Sequence, residues 1–254
     1  MHLHFQEAVL NVLLLWILTA PHEFAHAWVG TKLGDDTPLL DGRVTLNPLA
    51  HIDWIGTTLL PFATSLLGGG FIGWGKPVRS DVSKLKGGLN GLLLVALAGP
   101  FSNVIMAVAL AAVALGAVGH FPAFAQYLAD GVRLSLYLAI FNMLPVPPLD
   151  GSKLLLAMRI PMSIYRELAR AGFMLLVLAI GVSDIGRWMS EWSYSGARAI
   201  FGMLRCGEGA PVGRMRGFSL LPRSPLRRGR FEADAQVRSG RLCQPPERAL
   251  QPWV

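Results

Sequence analysis

The sequence predicts an all-α polytopic membrane protein: about four to six transmembrane or re-entrant segments around a polar site, followed by a disordered C-terminal tail. Three observations carry that class. Of 254 residues, 52% are hydrophobic and only 15% charged, with a mean hydropathy of +0.45, a profile that suits lipid and not water. Five apolar stretches recur along the chain, and two of them exceed the roughly 20 residues that a spanning helix needs. Inside the first lies the ionisable cluster His22-Glu23-Phe24-Ala25-His26. Such groups are costly at membrane depth and mark function by default.

The first stretch runs about Phe5 to Val29. It has no basic leader and carries the polar cluster, so it reads as a retained span and not a cleaved signal. Pro21 precedes His22 and predicts a kink or a fresh helical turn there. The second stretch, Ile55 to Trp74, contains Pro61 and Gly68-Gly69-Gly70, and is either a span or a re-entrant segment. The third, Gly91 to Val118, is the longest and cleanest. The fourth, Val132 to Val146, runs straight into Pro147-Pro148-Leu149-Asp150-Gly151. The fifth, Ala171 to Ile185, is short like the fourth and must borrow its flanks to span. Trp188 to Leu204 mixes Trp188, Trp192, Tyr194 and Phe201 with Glu191 and Arg198, the pattern of an interfacial helix. The few spans and the lack of a visible internal repeat argue against a transporter.

The net charge of +7 is concentrated in one place. Residues 205–254 hold ten arginines and no lysine against four acidic residues, whereas residues 1–204 are nearly balanced. Without an apolar period, that segment is expected to be a disordered tail beyond a membrane domain of residues 1–204. No nucleic-acid partner is expected. Cys206 and Cys243 both fall in the tail and form neither a CxxC site nor a disulfide framework. The loops before the third stretch (Lys76, Arg79, Lys84, Lys86) and after the fourth (Lys153, Arg159, Arg166, Arg170) are both basic. The positive-inside rule makes both cytoplasmic. For the histidines to meet a site at the end of the fourth stretch, the N-terminus must then lie outside and residues 55–74 must re-enter.

On a helix, residues i and i+4 share a face about 5–6 Å apart. His22 and His26 can therefore grip one Zn²⁺, with Glu23 as the general base of a zinc protease. A catalytic zinc takes three protein ligands and leaves one position open. Asp150 is the candidate for the third. Pro145, Pro147 and Pro148 end the fourth helix and free its last carbonyls. Such backbone is tolerated at membrane depth only in protein or beside a wet cavity, and Gly151 allows a tight turn. Asn142 reads as an interhelical hydrogen-bonder, and Gly99 with Asn103 as close helix packing. His51 reads as structural. The segment Gly68 to Val78 is either a flexible loop or an edge that pairs with an unwound substrate.

His22 to His26 and the later Asn142-Met143-Leu144-Pro145-Val146-Pro147-Pro148-Leu149-Asp150-Gly151 resemble, in order and in apolar context, the site-2 protease family of intramembrane zinc metalloproteases. Arg43 to Asp53, Gly73 to Val78 and Ala98 to Asn103 extend the likeness to the compact bacterial branch without a PDZ or CBS domain, over about residues 1–187. The resemblance implies a multi-pass zinc metalloendopeptidase of the bacterial inner membrane. It would hydrolyse peptide bonds within or near transmembrane segments of membrane-protein substrates, as in regulated intramembrane proteolysis. Its partners are then those substrates and the lipid bilayer. The resemblance further implies one Zn²⁺ per chain on His22, His26 and Asp150, with Glu23 as catalytic base. It gives Asn142 a catalytic part, holding the substrate strand or the developing oxyanion. Pro21 and the tail depart from the family pattern. The competing class is a catalytically inactive relative that binds metal and transmembrane helices; the presence of Glu23 argues against it, because holding zinc does not require that carboxylate.

Overall fold

The structure, a computed structural model, describes residues 2–66, 73, 75–182 and 184–207. The expectations for Gly68 to Gly70 and for residues 208–254 lie outside the described residues. Among those described, every regular element is helical. Helix α1 (His2–Lys32) is followed by a single short turn of helix, α2 (Thr37–Leu40). Helix α4 (Leu89–Ala117) packs against α1 on one side and α5 (Pro122–Asn142) on the other. Among the described residues, two helices are long and apolar enough to cross a membrane, α1 from Ala8 to Lys32 and α4 over its whole length.

Small residues set the helix spacing. Ala107, Ala111 and Ala114 form one stripe of α4 and meet Ala129, Val132 and Leu136 of α5. Side chains this small let the backbones approach closely, which is how helices associate where lipid supplies no hydrophobic drive. Helix α8 (Ile185–Gly207) closes the same core with Ala197, Ile200 and Phe201. The segment read as interfacial is thus packed into the bundle along one stripe, while Trp188 and Trp192 stay exposed on the other. The helix also takes in Arg205 and Cys206, so it reaches beyond the expected boundary at residue 204.

Apolar runs misjudge the starts of two helices. Helix α5 begins at Pro122, a residue whose fixed φ and missing N–H suit the first helical position. It therefore includes Asp130 and Arg133, paired at 3.6 Å. After α6 (Ser152–Ala157), helix α7 (Met162–Val182) begins before Ala171 and carries an exposed Arg170–Glu167 pair on its first turns. In both cases charged residues within the helix interrupt the apolar run where an apolar count stops.

The second apolar stretch is a π-helical segment (Trp54–Leu59) running into α3 (Leu60–Leu66). Asp53 starts it, its carboxylate accepting from the N–H groups of Ile55 and Gly56. These helical residues rise only about 20 Å at 1.5 Å each, short of a bilayer core of roughly 30 Å. The backbone N–H of Lys76 donates to the carbonyl of His51 at 3.0 Å. A Cβ on Gly73 would stand 2.7 Å from the carbonyl oxygen of Gly56. The chain thus leaves and returns at one place, the course of a hairpin and not of a single crossing.

Candidate active site

Helix α1 runs unbroken through Pro21; the proline removes one backbone donor and the turns around it hold. One face of α1 then carries His22 and His26, with Glu23 beside them, and all three are buried. Asp150 arrives from the far side, 124 residues later than His26. It sits where α5 has ended and the chain folds back, the N–H of Gly151 donating to the carbonyl of Asn142 at 2.7 Å. The φ of Gly151 is an ordinary −58°. Glycine is needed there for space instead, since a Cβ would stand 2.6 Å from the carbonyl oxygen of Leu144.

Three ligand atoms converge. His22 Nε2 and His26 Nε2 are 3.1 Å apart. Asp150 Oδ2 lies 3.2 Å from the first and 3.0 Å from the second. No other group of three or more histidine, cysteine or acidic side chains among the described residues is so arranged. The second carboxylate oxygen of Asp150 accepts from Lys153 Nζ at 2.8 Å. His26 Nδ1 faces the carbonyl oxygen of Val95 at 2.6 Å, so its hydrogen is on Nδ1 and its Nε2 is free to bind. His22 Nδ1 faces Asn103 Nδ2 at 3.2 Å.

The donor set suits a zinc ion. Zn–N and Zn–O bonds of about 2.0–2.2 Å at tetrahedral angles put donor atoms about 3.3–3.5 Å apart. The observed 3.0–3.2 Å is only slightly tighter. Two imidazoles and one carboxylate form a three-ligand set of the catalytic kind.

The site opens into a cavity of about 340 Å³, whose wall includes Glu23, Lys153, Asn103 and Asn142. Glu23 Oε2 accepts the backbone N–H of Val78 at 3.2 Å. Gly75 lies against the same side chain, and a Cβ there would stand 3.2 Å from Glu23 Oε1. A Cβ on Gly99 would strike both imidazoles, reaching His22 Cε1 at 2.7 Å. The candidate site is therefore walled by α1, α4, the end of α5 and by Gly73, Gly75, Pro77 and Val78.

Two curated relatives match this chain. It is 33% identical over 189 residues, 70% of its length and 82% of the relative's, to "Putative zinc metalloprotease YwhC" of Bacillus subtilis (strain 168). It is 31% identical over 192 residues, 70% of each chain, to "Putative zinc metalloprotease Rip2" of Mycolicibacterium smegmatis. The chain belongs to the site-2 protease family. No protein-family model matches this site-2 protease family member, and no solved structure matches it significantly.

Within this site-2 protease relative, the structure separates the remaining candidates. Asn142 lines the cavity, and its amide donates within its own helix, to the carbonyl of Leu138 at 2.9 Å, instead of to a neighbouring helix. His51 does not line the cavity. Its Nε2 donates to the carbonyl of Thr45 at 2.8 Å, and burial pushes its pKa down. Sequence reasoning missed Arg43. Its buried guanidinium donates to the carbonyls of Ala50 and Lys76, and to that of Pro77 at 3.2 Å. One side chain thus ties the loop after α2 to the segment that reaches Glu23. Charge counting gave no signal, because the loop of residues 31–54 carries Lys32 and Arg43 against four aspartates.

Proposed function

We propose that this chain is an intramembrane zinc metalloprotease that hydrolyses peptide bonds within or near transmembrane segments of membrane-protein substrates. The supporting observation is the convergence of Asp150 on His22 and His26, which stand beside Glu23 on a helix of membrane-spanning length. Both matched relatives carry the name zinc metalloprotease. His22, His26 and Asp150 hold the metal. When bound, zinc supplies a Lewis acid for the scissile carbonyl and lowers the pKa of attacking water to about 7.

The remaining steps belong to the protein. Glu23 takes the proton of the attacking water and passes it to the leaving amine. The Val78 N–H fixes one oxygen of that carboxylate, so the other is left to carry the proton. Asn142, on the cavity wall, is placed to hold the substrate strand or the developing oxyanion. A transmembrane helix hides its peptide bonds in its own hydrogen bonds, so the substrate unwinds before attack, and helix-breaking residues near the scissile bond favour cleavage. Residues 76–86 and 153–170 face the cytoplasm in this reading.

The test is cleavage of a transmembrane substrate in proteoliposomes by wild-type protein and by Glu23→Gln, with zinc measured in both. Loss of cleavage with zinc retained supports the protease. Zinc binding without cleavage by the wild type favours an inactive relative that only binds transmembrane helices.

A further inference from the structure

We propose that Asn103 is the positioning residue of His22: with metal bound, Asn103 Oδ1 accepts the Nδ1–H of His22 and so directs the bare Nε2 to the metal. This rests on the metal-site reading above and extends it to a side chain that the family pattern treats as packing.

Val95, Gly99 and Asn103 lie four residues apart on one face of α4, and each meets the histidine pair. The Val95 carbonyl takes the outer nitrogen of His26 at 2.6 Å. Gly99 leaves the space that both rings occupy. Asn103 stands against the outer nitrogen of His22 at 3.2 Å. The two ligands are thus served by the same helix, a backbone oxygen for one and a side-chain amide for the other.

The hydrogen count decides which amide atom must face His22. A neutral imidazole has one N–H and one bare nitrogen. Ligation through Nε2 places the hydrogen on Nδ1, and that hydrogen needs an acceptor. Asn103 has one, Oδ1, which is buried without a hydrogen-bond partner while Nδ2 points at His22. Amide oxygen and nitrogen are told apart only by their partners. A half-turn of the amide brings Oδ1 to Nδ1–H and removes the opposition of two N–H groups. The backbone is already fixed, since Ser135 Oγ donates to the carbonyl of Asn103 at 2.7 Å. The half-turn leaves the amide N–H groups where Oδ1 stood, at a buried position of a residue that borders the cavity. Ligating histidines almost always donate their other N–H to an oxygen acceptor.

The experiment uses the full chain in detergent, loaded with zinc and titrated with a competing chelator. Asn103→Leu keeps the bulk and removes the acceptor; Asn103→Asp keeps an acceptor and removes the donor. The expected result is zinc affinity about 10–100-fold weaker in Asn103→Leu and within about threefold of wild type in Asn103→Asp. The visible spectrum of the cobalt-loaded protein should shift in the leucine variant and return in the aspartate variant. Packing alone would not give that rescue. Wild-type affinity in Asn103→Leu overturns the assignment, as does a folded Asn103→Asp that loses zinc, which would make the amide a donor. If thermal unfolding shows that the leucine variant does not fold, the aspartate variant decides alone. A wild-type protein without zinc overturns the metal-site reading and this assignment with it.

Discussion

Val78 donates its backbone N–H to Glu23 Oε2 at 3.2 Å, joining two points 55 residues apart. The bond places a backbone donor, not a side chain, on the candidate base, and only proline can remove it. Val78→Pro is expected to lower kcat/KM about tenfold, the size of one hydrogen bond to a charged group, with zinc content unchanged. Val78→Ala keeps the N–H and should stay near wild type. Equal activity of the two variants would show that the bond does not serve catalysis.

Arg43 is expected to matter as a fork and not as a charge. Arg43→Lys keeps the charge but cannot reach the carbonyls of Ala50, Lys76 and Pro77 together. A hydrogen bond from a charged donor contributes about 1.5–3 kcal/mol, less where solvent reaches the carbonyl. Thermal unfolding should show a lower Tm, and cleavage should fall because Val78 follows directly on the clamped residues. An unchanged Tm in the lysine variant would remove Arg43 from this role.

Asp150→Ala should release zinc, because an open three-ligand site has no spare donor. It also deprives Lys153 of its partner at 2.8 Å. Metal analysis of the purified variant checks this, and full occupancy would take Asp150 out of the ligand set.

The loop at His51 should loosen in acid. Its Nε2 is engaged with Thr45 while its Nδ1 is buried with no hydrogen-bond partner. Protonating Nδ1 would put a buried charge beside Arg43. Burial, the larger cause, and Arg43 both press the pKa below the ordinary 6.5, against a smaller opposing pull from the Thr45 bond. The unfolded chain then binds the proton more readily, so this contribution is complete above pH 6.5 and is lost as pH falls through the folded value. Stability measured from pH 7.5 to 5 should decline more steeply in the wild type than in His51→Gln.

Truncation after Gly207, where α8 ends, should leave zinc content and cleavage of a model substrate unchanged. Lost activity in a folded truncated protein would give residues 208–254 a part in function.

Local chemistry was legible and long-range geometry was not. The i, i+4 histidines, the glutamate between them and the proline-broken helix end need only the sequence, and the 3.0–3.2 Å convergence joins the three expected ligands His22, His26 and Asp150. The Val95 carbonyl at His26 depends on how α4 lies against α1, 69 residues away, and no side-chain pattern encodes a backbone acceptor. The four-residue spacing of Val95, Gly99 and Asn103 was a readable hint, since it puts them on one helix face. Apolar counting lost the starts of α5 and α7 because charged residues inside each helix interrupt the apolar run. Loop charge called for residues 55–74 to re-enter, but the bond from Lys76 to His51 that draws the two ends together is a backbone contact between loops that no side-chain pattern encodes.

The glycines of α4 differ sharply in what surrounds them. A methyl group at Gly116 meets nothing within 4 Å, whereas at Gly99 it lands on both imidazoles. Alanine is also the better helix former, so the helix itself has no reason to object at either place. Gly99→Ala is thus the lesion a geneticist would want: normal protein abundance, an intact bundle, and histidines with no seat. A scan of α4 for alleles that silence the protein without depleting it should single out position 99 and pass over position 116.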